Sequence, residues 1–89
     1  MAHHIHWLIL RVGQQQSIGP AALRTLWADA CQSGDVSVAR QRRFEGGVQS
    51  TMYSLSAPSS LRDPRAAEMR MRRLLEESHY LFTLSAVHH

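Results

Sequence analysis

The arrangement of hydrophobic and polar residues changes period along the chain, and each change marks an element. From Ile5 to Val12 the chain is apolar on both alternating faces, with Leu8, Leu10 and Val12 on one and Ile5, Trp7 and Ile9 on the other. Such a run predicts a central strand covered on both sides. After the polar breaker Gly13-Gln14-Gln15-Gln16, the residues Ser17, Ile18 and Gly19 lead to Pro20, which suits a first helical turn. A helix is predicted from there to about Ser33. Leu23, Leu26, Trp27, Ala30 and Cys31 fall at i, i+3, i+4, i+7 and i+8, one stripe at a period of 3.6. Gly34 is its expected C-terminal cap.

From Val36 to Ser56 the period returns to two on either side of Glu45-Gly46-Gly47, which predicts a hairpin. Val36, Val38, Arg40, Arg42 and Phe44 share one face of its first strand, and Gln49, Thr51, Tyr53 and Leu55 share one face of its second. Gly46-Gly47 fits the positive φ of a tight primed turn. A loop over Ala57-Pro58-Ser59-Ser60 follows, and then Asp63-Pro64, a capping residue with a first-turn proline. The second helix carries Ala67, Met71, Leu74, Leu75 and Ser78 on one face, with Glu68 and Arg72 as an i, i+4 pair on its surface. The last run, Tyr80 to Val87, alternates Phe82 and Leu84 against Leu81 and Thr83 and predicts a final strand.

The resulting order is β-α-β-β-α-β. It resembles the ferredoxin-like fold, an α+β arrangement of a four-stranded antiparallel sheet with two helices on one face. The resemblance covers nearly the whole chain in element order and rests on no motif. A winged helix-turn-helix is the alternative, with the first helix against DNA and the hairpin as the wing. Against it stand the strand-like first and last runs and the presence of only two helices.

Length narrows the picture further, since 89 residues leave room for one domain, residues 1–89. A chain this short buries only roughly 60 to 65% of its unfolded surface, so a second subunit would add stability. The apolar fraction of 44% is ordinary for a globular protein, and no apolar run approaches the length of a membrane-spanning helix. The N-terminus lacks a signal-peptide pattern, and a cytoplasmic protein with no membrane partner is expected. The one cysteine, Cys31, falls on the apolar stripe of the first helix and reads as a small core residue. All ten basic residues are Arg, and the formal charge of +3 favours anionic partners, because the guanidinium fork suits phosphate and carboxylate.

Four residue groups are candidates for function. The first is the sheet face left open by the helices, where Trp7 and Ile9 with Tyr53, or else Leu8 and Leu10, are expected to meet a second copy of the chain. The second is a basic surface, with Arg40, Arg42 and Arg43 near the hairpin tip and Arg65, Arg72 and Arg73 on the outer side of the second helix. These would contact nucleic-acid phosphates or other anions, and an RNA-binding sheet would need Trp7 and Tyr53 as stacking aromatics. The third is the histidines. In this fold the first and last strands are neighbours, which would bring His4 and His6 near His88 as weak candidates for Zn²⁺, Ni²⁺ or Cu²⁺. Frayed, solvated tails are the simpler expectation for both termini.

The fourth group would be catalytic. The chain has no GxxxxGK[ST], HExxH or GxSxG, so no catalytic residue and no cofactor are assigned. A dimer enclosing a cavity lined by His6, Trp7, Arg11 or Tyr53 would suit a small enzyme of the dimeric α/β-barrel type, on fold analogy alone. The reading is therefore a non-enzymatic binding or regulatory module acting as a homodimer on a protein partner. Arg-mediated nucleic-acid binding is the first alternative, and the dimeric enzyme is the second.

Overall fold

The computed structural model describes residues 4–12 and 18–87. It contains β1 (His4–Val12), α1 (Pro20–Cys31), β2 (Ser37–Glu45), β3 (Val48–Pro58), α2 (Pro64–Glu77) and β4 (Phe82–Ala86). The strands form one antiparallel sheet in the order β2-β3-β1-β4, which is the α+β ferredoxin-like arrangement. Both helices lie against one face. The core between them and the sheet takes Leu23, Trp27, Ala30 and Cys31 from α1 and Ala67, Met71 and Leu75 from α2. The sheet contributes Leu8, Leu10, Tyr53, Leu55, Ala57 and Leu84.

Two buried polar groups bind this layer together. Trp27 Nε1–H donates to the Ser56 carbonyl at 2.8 Å, and the Tyr53 hydroxyl donates to the Ile18 carbonyl at 2.7 Å. Each bond lets a large aromatic enter the core without leaving its polar atom unsatisfied.

The first strand departs from the even alternation of the sequence reading. Its pairing with β3 runs His6↔Ser56 and then Leu8↔Leu55, so Trp7 is an extra residue in a β-bulge. The insertion shifts the alternation by one for everything before it. Ile5 therefore pairs with the buried Ala57 on the helix side, while His4 and His6 pair with Pro58 and Ser56 on the open side. Trp7 itself packs against the core, and its Nε1–H donates to the Pro58 carbonyl at 3.2 Å.

Helix ends are set by backbone geometry that the sequence pattern did not single out. The first helix stops at Cys31, and Gln32 takes the left-handed conformation with φ 55°, displacing the expected cap at Gly34. Gln32 N–H donates to the Asp29 carbonyl at 3.1 Å and Ser33 N–H to the Ala28 carbonyl at 3.0 Å, a Schellman motif. The second helix ends in the same way. His79 has φ 63°, its N–H donates to the Glu76 carbonyl at 3.0 Å, and Tyr80 N–H donates to the Leu75 carbonyl at 3.2 Å. That cap uses up Tyr80 and starts β4 only at Phe82, shortening the final strand from the run expected. The predicted Asp63 cap is present, its Oδ1 accepting from Ala66 N–H at 3.0 Å. Gly46 and Gly47 carry φ of 56° and 80°, the positive pair that a type I′ hairpin turn requires.

Candidate binding surface

Because cross-strand partners share a face, the registers lay out the side of the sheet that the helices leave uncovered. One row crosses it as Ala39, Ser54, Ile9 and Ser85, and the next as Gln41, Met52, Arg11 and Thr83. A third row holds Ser37, Ser56 and His6. Ile9 and Met52 are half-buried there, and Ser54 and Ser56 form a buried floor between larger neighbours. The face thus has two buried serines and two half-buried apolar side chains near its middle, with the exposed His6, Arg11 and Gln41 around them.

This layout corrects the expected grouping of Trp7, Ile9 and Tyr53. Ile9 alone of the three lies on the open face. Tyr53 pairs with Leu10 and Arg40 on the helix side and is 2% exposed, so its ring is part of the core. The bulge carries Trp7 to the same side, where it lines a cavity of about 310 Å³ with Pro64, Arg65 and Glu68 of α2. Neither aromatic is placed to stack a base on the open sheet, and Tyr53 is not available to line a cavity there. His6 and Arg11 do remain on that face.

Among the described residues, the basic side chains singled out by the sequence are divided between β2 and α2. Arg40 and Arg42 are exposed on β2, on the face shared with Tyr53 and Thr51. Arg43 pairs with Ser50, and its side chain lies outside the described residues. Arg65 and Arg73 are exposed on α2. Arg72 is half-buried and serves the fold, its Nη2 donating to the Leu84 carbonyl at 3.1 Å and lying 3.6 Å from Glu68 Oε2. Arg70, which the sequence did not single out, donates from Nε to the Ala30 carbonyl at 2.6 Å. A cation at this helix C-terminus meets carbonyls that have no partner within the helix. Beside it a cavity of about 460 Å³ opens among Cys31, Val36, Ala57, Leu61 and Arg62. Burial pushes the Cys31 thiol up from 9.0 to about 11, an effect that nearby Arg70 partly opposes.

His4 and His6 share the open face as expected, and His88 lies outside the described residues. His4 has two partners that its sequence neighbours do not reveal. Its Nε2 is 2.8 Å from Asp35 Oδ1, and its Nδ1 is 3.1 Å from Ser37 Oγ. A carboxylate only accepts, so Nε2 carries the proton, and in the neutral ring Nδ1 accepts from the serine hydroxyl. The imidazole thereby ties the start of β1 to the start of β2 across β3, above the small side chain of Ser56. Among the described residues, no three His, Cys, Asp or Glu side chains are grouped to hold a metal ion, and no helix is long and apolar enough to cross a membrane.

Comparison of the chain with protein-family models, with curated proteins and with solved structures returned no match.

Proposed function

We propose that this protein is a small non-enzymatic binding module that works as a homodimer and takes a protein as its partner. The observation that carries the reading is the uncovered sheet face. Ile9 and Met52 lie half-buried on it beside the buried Ser54 and Ser56, and these two apolar side chains are what a second sheet would cover. Packing two such faces adds apolar burial that a domain of this size lacks on its own.

The placement of the aromatics favours a protein over single-stranded RNA. A sheet that reads RNA stacks bases on aromatic side chains of its open face, whereas Tyr53 is in the core and Trp7 is turned toward α2. Among the described residues the guanidinium groups fall on separate elements, β2 and α2, with Arg72 engaged by Leu84 and Glu68, which argues against a continuous track for a phosphate backbone.

Sedimentation equilibrium at high micromolar concentration tests the assembly. A particle of twice the 10.1 kDa chain mass is expected, falling to one chain mass on Ile9→Asp with the circular-dichroism spectrum retained. A wild-type monomer under those conditions overturns the dimer.

A further inference from the structure

We infer that the outer edge of β2 is a docking site for an extended acidic segment of a protein partner, added antiparallel as a fifth strand. The inference rests on the protein-binding reading above and names the surface and chemistry of the partner.

The sheet order leaves β2 at an edge, paired on one side only, with β3. Its backbone therefore has donors and acceptors directed away from the sheet, and the hairpin determines which residues own them. A two-residue turn closes with a hydrogen-bonded pair, here Glu45 and Val48. In an antiparallel ladder inward and outward residues alternate. Counting back from Glu45, residues Val38, Arg40 and Arg42 direct their N–H and C=O groups outward.

Those three residues also share a side-chain face, since they pair with Leu55, Tyr53 and Thr51. An incoming strand that bonds to their backbones thus meets two exposed guanidinium groups two residues apart, and then the half-buried Val38, which packs against the core. Opposite charges directly across a ladder stabilise the pairing, and like charges oppose it. In antiparallel sense the complementary partner reads, from its N-terminus, acidic-x-acidic-x-apolar, with its acidic residues opposite Arg42 and Arg40 and its apolar residue opposite Val38. Main-chain bonds would provide affinity and the alternate side chains selectivity, as in other cases of strand addition.

The same charges discriminate against a second copy of the chain at this edge. A two-fold axis through an antiparallel β2–β2 pair sets Arg40 against Arg42, or either residue against its own copy, in the registers that overlap most of the strand. Charged residues on an edge strand are a recognised means of preventing self-pairing. The homodimer of the open face and the strand added at the edge therefore use different surfaces.

The test titrates the ¹⁵N-labelled protein with a blocked peptide containing Glu-x-Glu-x-Val, beside peptides with Lys-x-Lys-x-Val and the acidic sequence scrambled, and an oligonucleotide of matched charge. The acidic peptide alone is expected to shift the amides of Val38, Arg40 and Arg42 and to slow their hydrogen exchange. Replacing both Arg40→Glu and Arg42→Glu should weaken that binding by about tenfold and transfer the preference to the lysine peptide. Arg40→Pro removes one outward donor while leaving the β3 ladder its own bonds, so it should abolish binding with the β2–β3 amide pattern intact. Acidic-peptide shifts confined to other surfaces overturn strand addition and leave a protein-binding module standing. Equal binding of the scrambled peptide or the oligonucleotide, or protection of the β2 edge in the free protein as concentration rises, also overturns it. A wild-type chain that sediments as a monomer and binds none of the peptides overturns this proposal and the function on which it rests.

Discussion

At the residue scale, the decisive groups are polar atoms placed where water is excluded. Tyr53 is the clearest case, because its ring fills the core and its hydroxyl satisfies the Ile18 carbonyl. Tyr53→Phe keeps the ring and removes the donor, leaving a buried carbonyl without that bond. A loss of about 1 to 3 kcal/mol is expected in urea titrations with an unchanged m-value. Cys31 makes a different, pH-dependent contribution. Its thiol ionises near 9.0 in the ordinary case and near 11 in the fold, because burial penalises the thiolate. Between those values the unfolded chain binds fewer protons than the folded one, so this contribution is complete below 9.0 and lost as pH rises toward 11. The stability of wild type should therefore fall more steeply with pH across this window than that of Cys31→Ala, in which the other titrating groups are shared. Parallel curves would remove the thiol from the account.

At the element scale, the two helices end alike and begin differently. Both end in Schellman motifs built on a left-handed residue that is not glycine, Gln32 in one and His79 in the other. An L side chain in that conformation costs roughly 1 to 2 kcal/mol relative to its preferred regions. Gln32→Gly should relieve part of this and raise stability by about 1 kcal/mol, less the backbone entropy that glycine adds to the unfolded chain. A lower thermal midpoint for that variant would contradict the cap. At the start of α2 the Asp63 carboxylate accepts from Ala66 N–H, whereas α1 begins at Gly19 with no side-chain cap. Asp63→Ala should cost about 1 kcal/mol, read as a shift in the urea midpoint. The bulge at Trp7 acts on a whole strand. By inserting one residue it moves Ile5 and Trp7 to the covered side, and it directs His4 across β3 to Asp35 and Ser37.

At the scale of the whole molecule, the helices cover one face of the sheet and leave the other face uncovered, with β2 and β4 at its edges. The apolar content of the open face is modest because the bulge removes Trp7 from it, and Ile9 and Met52 remain. Dimer affinity should accordingly be moderate. Dilution in analytical ultracentrifugation is expected to shift wild type toward monomer in the micromolar range, and Ile9→Asp should be monomeric throughout. A dimer unaffected by Ile9→Asp would place the contact on another surface. The net charge of +3 favours acidic partners at long range, and binding through Arg40 and Arg42 should weaken with added salt.

Element order, the hairpin and its Gly46-Gly47 turn, the Asp63 cap and most of the core were legible in the sequence. Each depends on local periodicity or on the conformational preference of a residue type. The shared face of Val38, Arg40 and Arg42 was legible as well, because alternation within an unbroken strand needs no tertiary information. The face of Trp7 was not legible, since a bulge is a property of two paired strands and one inserted residue reverses the inside and outside of all that precede it. Tyr53 was misassigned for a related reason. Alternation groups residues by face, but only the packing of α1 and α2 decides which face is buried. The same holds for His4, Asp35 and Ser37, whose hydrogen bonds join residues more than thirty positions apart, and for the edge position of β2 that exposes its outward amides.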